Sequence, residues 1–197
     1  MKMDEDKDKE RREIYDNLWS TINSTQQHLR IKFERYLRKQ NIKSLGEIKC
    51  QESLEELGIN EFISEFILVN NDKDKFRKFD FFALYDNVNN HLKIAEHQIL
   101  LRILIEFDGK QHFIYSHKFF EIEEEFEKYK EADKEKTLMA IRKDYMLIRI
   151  YYEDEEDILH HFQRAISMGK KVYFSRPDKY SDITKYLDEN QYNFEDK

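Results

Sequence analysis

The clearest pattern in the chain is a short apolar run, Leu100–Phe107, that turns polar towards its end and reads LLRILIEFDGKQH through His112. A run of this kind closed by a glycine predicts a strand in the middle of a sheet. Tyr145–Tyr152, YMLIRIYY, predicts another. Phe76–Tyr85, FRKFDFFALY, predicts a strand rich in aromatic residues, and Phe62–Val69 and Val172–Phe174 predict shorter ones. Elsewhere the spacing is helical. Within Ser24–Asn41 the residues Leu29, Phe33, Tyr36, Leu37 and Gln40 recur on one face, with Ser24 and Thr25 as candidate caps. Residues 44–61 predict one or two short helices around Leu54 and Leu57, stopped by Gly58. Glu121–Arg142 predicts a long helix, Ile158–Met168 a second with Leu159, Phe162 and Ile166 inward, and Tyr180–Leu187 a terminal one. This order predicts an α/β or α+β domain, a mixed sheet with helices on its faces.

Alternation along a strand puts Glu106 and Asp108 on one face, together with Leu100 and Leu104. Two neighbouring carboxylates at the end of an apolar strand repel each other and are costly to bury. A divalent cation removes that cost, because hard cations take carboxylate oxygens. A strand that simply runs out into a polar loop would look the same. Gly109 lets the chain turn, which brings Gln111 and His112 into reach of the same spot. Asp80 shares its face with Phe76, Lys78, Phe82 and Leu84, an unusual setting for an aspartate. On the long helix, Ile122, Phe126 and Tyr129 form an inward stripe that Asp133, Lys136 and Ala140 continue at steps of four, three and four. The two charged residues then point at the sheet; a slightly rotated stripe would make them a surface ion pair instead. Three carboxylates followed by Lys110, Gln111 and His112 suit metal-dependent phosphodiester hydrolysis. The cation polarises the phosphate and acidifies a bound water, and a Lys or His positions that water and stabilises charge.

Composition narrows the classes. At 197 residues, 40% hydrophobic and 14% aromatic, the chain can build one domain with a real core. Four Gly and one Pro argue against a loop-rich β-sandwich. No apolar run is long enough to cross a membrane. The start, MKMDEDKDKERRE, lacks the apolar core of a secretory signal, and residues 1–23 read as a charged extension. The single cysteine, Cys50, fits a reducing compartment and a core position, so an intracellular location is expected. The net charge of −7 hides a polarity. From His28 to Lys49 seven basic residues face two acids, whereas Glu121–Glu135 holds eight acids against three lysines and Glu153–Asp157 is acidic throughout. Arg30, Arg35, Arg38 and Lys39 project from the apolar stripe of the first helix and are candidate DNA-backbone contacts, unless they are only a solvated face. Phosphate-binding glycine loops, nucleophile elbows and zinc-type Cys/His clusters are all missing from the sequence.

Four stretches in order, KFDFFALY, LIEFDGKQHF, ADKEKTLMAI and YMLIRIYYED, resemble the very-short-patch-repair-endonuclease-like branch of the PD-(D/E)XK nucleases. The likeness is greatest to the nuclease domains of phage and large-virus homing-type endonucleases and covers about Arg77–Phe162. It implies a restriction-endonuclease-like mixed sheet flanked by helices, with a core at 76–168 between a helical part at 24–75 and an extension at 169–197. It implies cleavage of DNA with Mg²⁺ or Mn²⁺, in the cytoplasm or nucleus of a host cell if the chain is viral. A nuclease-fold protein that binds nucleic acid without cutting it is the alternative. Oligomeric state is left open, a homodimer included. By the resemblance, Asp80, Glu106 and Asp108 hold the metal, His112 assists hydrolysis beside Gln111, and Asp133 and Lys136 complete the site. The second motif frames as Glu106-Phe107-Asp108, which is preferred, or as Asp108-Gly109-Lys110, which makes Lys110 the catalytic lysine. Relatives often carry Ser-x-Gly-Glu at the start of their first helix. The matching region is expected at Ser24-Thr25-Gln26-Gln27, where Gln27 replaces the acid.

Overall fold

The structure, a computed structural model, describes residues 44–70, 75–86 and 100–190. The chain divides into a unit of Ser44–Leu68 with Arg77–Lys197 and a unit of Met1–Lys43 with Val69–Phe76. The first unit carries everything that follows. Its elements are α1 (Leu45–Glu56), β1 (Phe62–Asn70), β2 (Lys75–Asp86), β3 (Leu100–Asp108), α2 (Glu123–Arg142), β4 (Met146–Tyr151), α3 (Ile158–Met168), β5 (Val172–Phe174) and α4 (Ser181–Glu189). The ends of β1 and β2 reach into the second unit. One five-stranded sheet has the order β1-β2-β3-β4-β5. β2 pairs antiparallel with β3, and β3–β4 and β4–β5 are parallel. The expected mixed α+β sheet with helices is thus the observed one.

Both faces of the sheet are covered, which is why the central strands read as nearly continuous apolar runs. On one face Phe81, Ala83, Ile103, Ile105, Ile148 and Ile150 pack with Cys50 and Leu54 of α1 and Phe162 and Ile166 of α3. On the other, Tyr151, Val172 and Phe174 pack with Leu138 and Ile141 of α2 and Ile183 and Leu187 of α4. Register puts Glu106 opposite Arg149 and Asp108 opposite Tyr151, so the charged ends of β3 and β4 lie side by side on the α2 face.

Local signals set the ends of the helices. Ser44 caps α1, its hydroxyl accepting the Glu47 N–H at 3.2 Å, and Gly58 takes the left-handed conformation beyond its end. α2 begins at Glu123, two residues later than its pattern suggests. Ile122 precedes the helix as an exposed cap and does not belong to the inward stripe. Asp144 ends the helix at φ 62°, which a short polar side chain tolerates, and the chain turns at once into β4. The boundaries expected at 76 and 168 cut through this sheet, because β1 lies before the first and β5 after the second. Three residues gave β5 little pattern of its own; its partner β4 makes it a strand.

α1 sits directly on β3 through Gly46. A Cβ added there would come within 2.1 Å of the Phe107 ring. Gly46→Ala should therefore force that ring aside and cost about 1–3 kcal/mol of stability. The expected readout is a lower urea midpoint at unchanged slope; an unchanged midpoint would mean that the ring moves freely.

Candidate functional site

The β2–β3 ladder runs from Asp86↔Leu100 to Phe81↔Ile105. Past that point the strands part, and the Asp80 carboxylate takes over the pairing. Its Oδ2 accepts the Phe107 N–H at 2.7 Å. Glu106, next along β3, is 3% exposed. Its Oε2 lies 2.5 Å from the Lys136 ammonium, while its Oε1 is buried and has no hydrogen-bond partner among the described residues. Lys136 descends from α2 onto this spot, its ammonium 4.8 Å from the centre of the Phe79 ring. Burial pushes the Asp80 carboxyl up to about 7 despite Lys136 and the Phe107 N–H, and pushes Glu106 up to about 8 despite Lys136. The charge of Asp80 raises Glu106 further. One lysine does not balance these two acids. An unpartnered, nearly buried carboxylate oxygen beside a second carboxylate is a donor set that fits a divalent cation.

A third acid stands in the neighbourhood of these two without converging on them. Glu47, in the first turn of α1, is near enough to raise the Asp80 pKa. It ends the string Ser44-Leu45-Gly46-Glu47, the full Ser-x-Gly-Glu expected at Ser24–Gln27. Ser24–Gln27 lies outside the described residues. Ser44 caps this helix and Gly46 lets it approach Phe107. The Ser-x-x-Glu capping spacing was the sequence signal for it.

Asp108 shares the face of Glu106, but it does not fit the metal role expected of it. Its Oδ2 accepts from Arg149 Nε at 2.8 Å and from the Tyr180 hydroxyl at 2.7 Å, and its Oδ1 accepts from Arg149 Nη2 at 2.6 Å. The same Nη2 lies 2.6 Å from Asp133 Oδ2, and Nη1 donates to Thr137 Oγ1 at 2.8 Å. Arg149 is wholly buried. Burial works against its charge, but Asp108 and Asp133 outweigh that and hold the guanidinium protonated. Asp133 is itself desolvated, yet Arg149 and His112 keep its carboxyl well below the usual range. Asp108, His112 and Asp133 are close enough to hold an ion, but a guanidinium already neutralises both aspartates.

His112 faces this pair. Its Nδ1 is 3.3 Å from Asp133 Oδ2 and 3.4 Å from Asp108 Oδ1, and its Nε2 is 2.9 Å from the Tyr129 hydroxyl. Carboxylates only accept, so Nδ1 carries the hydrogen and Nε2 accepts from Tyr129. Both nitrogens are thus engaged. Lys110 is exposed on the single turn Lys110–His112, and the Gln111 amide folds over Gly109. It is Lys136, and not Lys110, that meets Glu106. Arg30, Arg35, Arg38 and Lys39 lie outside the described residues. Sequence reasoning missed Arg149, Tyr129, Thr137 and Tyr180. Tyr129 stood on the inward stripe one turn before Asp133 but was given no role, and Arg149 left a signal as a lone cation within the apolar run YMLIRIYY, which must find anions when buried.

No family model, curated protein or solved structure matches the chain.

Two outcomes follow from this electrostatic layout. Arg149→Met should cost about 3–5 kcal/mol, because it leaves Asp108 and Asp133 buried without their cation; urea unfolding measures it. The second concerns pH. Asp80 and Glu106 hold protons in the folded state at pH values where the unfolded chain has released them. Their contribution is therefore complete below about pH 4 and is lost as pH rises through about 7 to 8. In EDTA, thermal stability should fall from pH 5 to 8.5, and Asp80→Asn with Glu106→Gln should flatten that slope.

Proposed function

We propose that the chain is a metal-dependent DNA endonuclease with a restriction-endonuclease-like core of the PD-(D/E)XK kind. The observation that carries this reading is the Glu106 carboxylate, buried with one oxygen unpartnered and the other on Lys136, next to Asp80. Most buried carboxylate oxygens are hydrogen-bonded, so an orphaned one beside a second carboxylate is open to a further partner. The four sequence stretches that resemble these nucleases are the ones that meet at this point.

Asp80 and Glu106 would hold Mg²⁺ or Mn²⁺, and Asp108 would not. The bound ion would polarise the scissile phosphate and lower the pKa of its water. Lys136 places a fixed positive charge beside Glu106, where it stabilises negative charge building on the phosphate oxygens. Its contact with the Phe79 ring restricts where that charge sits. Arg149 fixes Asp133, and Asp133 in turn orients His112. His112 takes a proton from water only if Tyr129 releases Nε2.

That last contact is also the specific observation behind the second reading, a nuclease fold that binds DNA without cutting it. Supercoiled plasmid incubated with Mg²⁺, Mn²⁺ or EDTA separates the two, with a gel shift in EDTA alongside. Cleavage with either metal supports the endonuclease; a shift without cleavage supports the binding protein; neither result removes both. Asp80→Asn and Glu106→Gln should each abolish cleavage in a folded protein. Mn²⁺ at a hundred times its Kd should stabilise the wild type by about 2.7 kcal/mol, read as a higher melting temperature. The double variant should lose that shift.

A further inference from the structure

Beside His112, between α2 and α4, lies a cleft of about 290 Å³. Lys130 and Lys134 enter it from α2, and Lys179 enters from the turn ahead of α4. We infer that this cleft is an anion site that seats a phosphate of the DNA backbone close to the one being cut. The inference rests on the endonuclease reading and adds the path of the strand.

Three ammonium groups converge on one cavity, and their acidic neighbours leave them available. Lys134 has Glu131 at 3.3 Å, and Lys179 has Asp178 at 3.9 Å. Lys130 has Glu127 at 3.5 Å and Asp182 at 3.3 Å. These four acids are 55–72% exposed and the lysines 22–47%, so the pairs are partly solvated and an incoming anion competes with mobile surface carboxylates. Two aspartates also line the cleft. Asp133 is already neutralised by Arg149, which leaves Asp182 as the competitor for an incoming anion.

The surroundings direct a polyanion to this place. The first turns of α2 expose Glu123, Glu124, Glu125 and Glu127, which repel phosphate, while Lys130 and Lys134 turn inward. Position along α2 gives the scale. Lys134 and Lys130 precede Lys136 by two and six residues, or about 3 and 9 Å along the axis at 1.5 Å per residue. Successive nucleotides of one strand advance by about 3.4 Å. At about 100° per residue Lys134 and Lys130 project about 160° and 120° around α2 from Lys136, so a strand running from Lys136 to the cleft passes part of the way round the helix as well as along it.

The chemistry of the walls selects phosphate over base. Tyr151 and Tyr180 line the cleft but are 5% and 2% exposed, so neither offers a face for stacking. The Tyr180 hydroxyl is spent on Asp108. A site of this kind positions the strand without reading its sequence.

Two variants with opposite expected signs test the inference, read as fluorescence anisotropy of a labelled DNA duplex with the full chain in EDTA. Lys134→Gln with Lys179→Gln should weaken binding about tenfold and reduce the salt slope by about 2, one unit per lost contact. Asp182→Asn removes the competitor and should tighten binding several-fold. If the parent binds DNA and the double lysine variant binds equally, with the same slope, the cleft is not on the DNA path, and the endonuclease reading stands without it. If Asp182→Asn weakens binding, the cleft is structural and the inference falls. A third arm titrates inorganic phosphate against the His112 ring signals by NMR. Suppose those signals move in the parent and not in the double variant, while the parent binds no duplex. The cleft then serves a free phosphate, and both the backbone assignment and the endonuclease reading are overturned.

Discussion

The guanidinium of Arg149 is the constraint on which the α2 face depends. It sits fully buried, bonded at once to β3 through Asp108 and to α2 through Asp133 and Thr137. Tyr180 closes it from the segment leading into α4, its ring 5.5 Å from the guanidinium carbon. A buried ion network adds little net stability over an apolar core of equal volume. It does demand one geometry, because each partner removed leaves a charge stranded. The position of α2 over the sheet, and hence that of Lys136 and His112, follows from that demand.

Two carboxylates on one face of β3 have opposite electrostatic fates. Asp108 is saturated with donors. Glu106, two residues earlier, has one ammonium and one idle oxygen. Desolvation acts on both, but only Asp108 has a permanent cation at bonding distance on each oxygen or its donor. The difference comes from the strand beside them. Arg149 lies opposite Glu106 in register, yet its side chain reaches forward to Asp108 and Asp133. One arginine thereby satisfies Asp108 and Asp133 and leaves Glu106, beside Asp80, as the acid with a buried oxygen unpartnered among the described residues.

Much of this was legible in the sequence. Period-two alternation placed Glu106 and Asp108 on one face, and the stripe on α2 turned Asp133 and Lys136 to the sheet, because both patterns are dictated by backbone geometry. What the pattern could not show was pairing. Spacing alone made Asp108 the twin of Glu106, and only the position of Arg149 across the parallel ladder tells them apart. Tyr180 was invisible for a similar reason: its partner lies 72 residues away, and nothing local marks a tyrosine hydroxyl as spoken for. Glu47 is a different case. Its signal was present in the capping spacing after Ser44, but the basic helix ahead of it drew the match to Ser24.

The bond between Tyr180 and Asp108 also sets an order of assembly. A chain emerging from the ribosome presents β3, α2 and β4 well before residue 180, and domains tend to fold as they appear. Until Tyr180 arrives, the guanidinium and its aspartates lack their cover on that side and stay open to water, in a medium where ion pairs loosen. The sheet can form early from neighbouring strands, yet the charged layer beside it hardens only once nearly all of the described chain has been made. In this architecture the buried charged layer around Arg149 is the last part to become rigid.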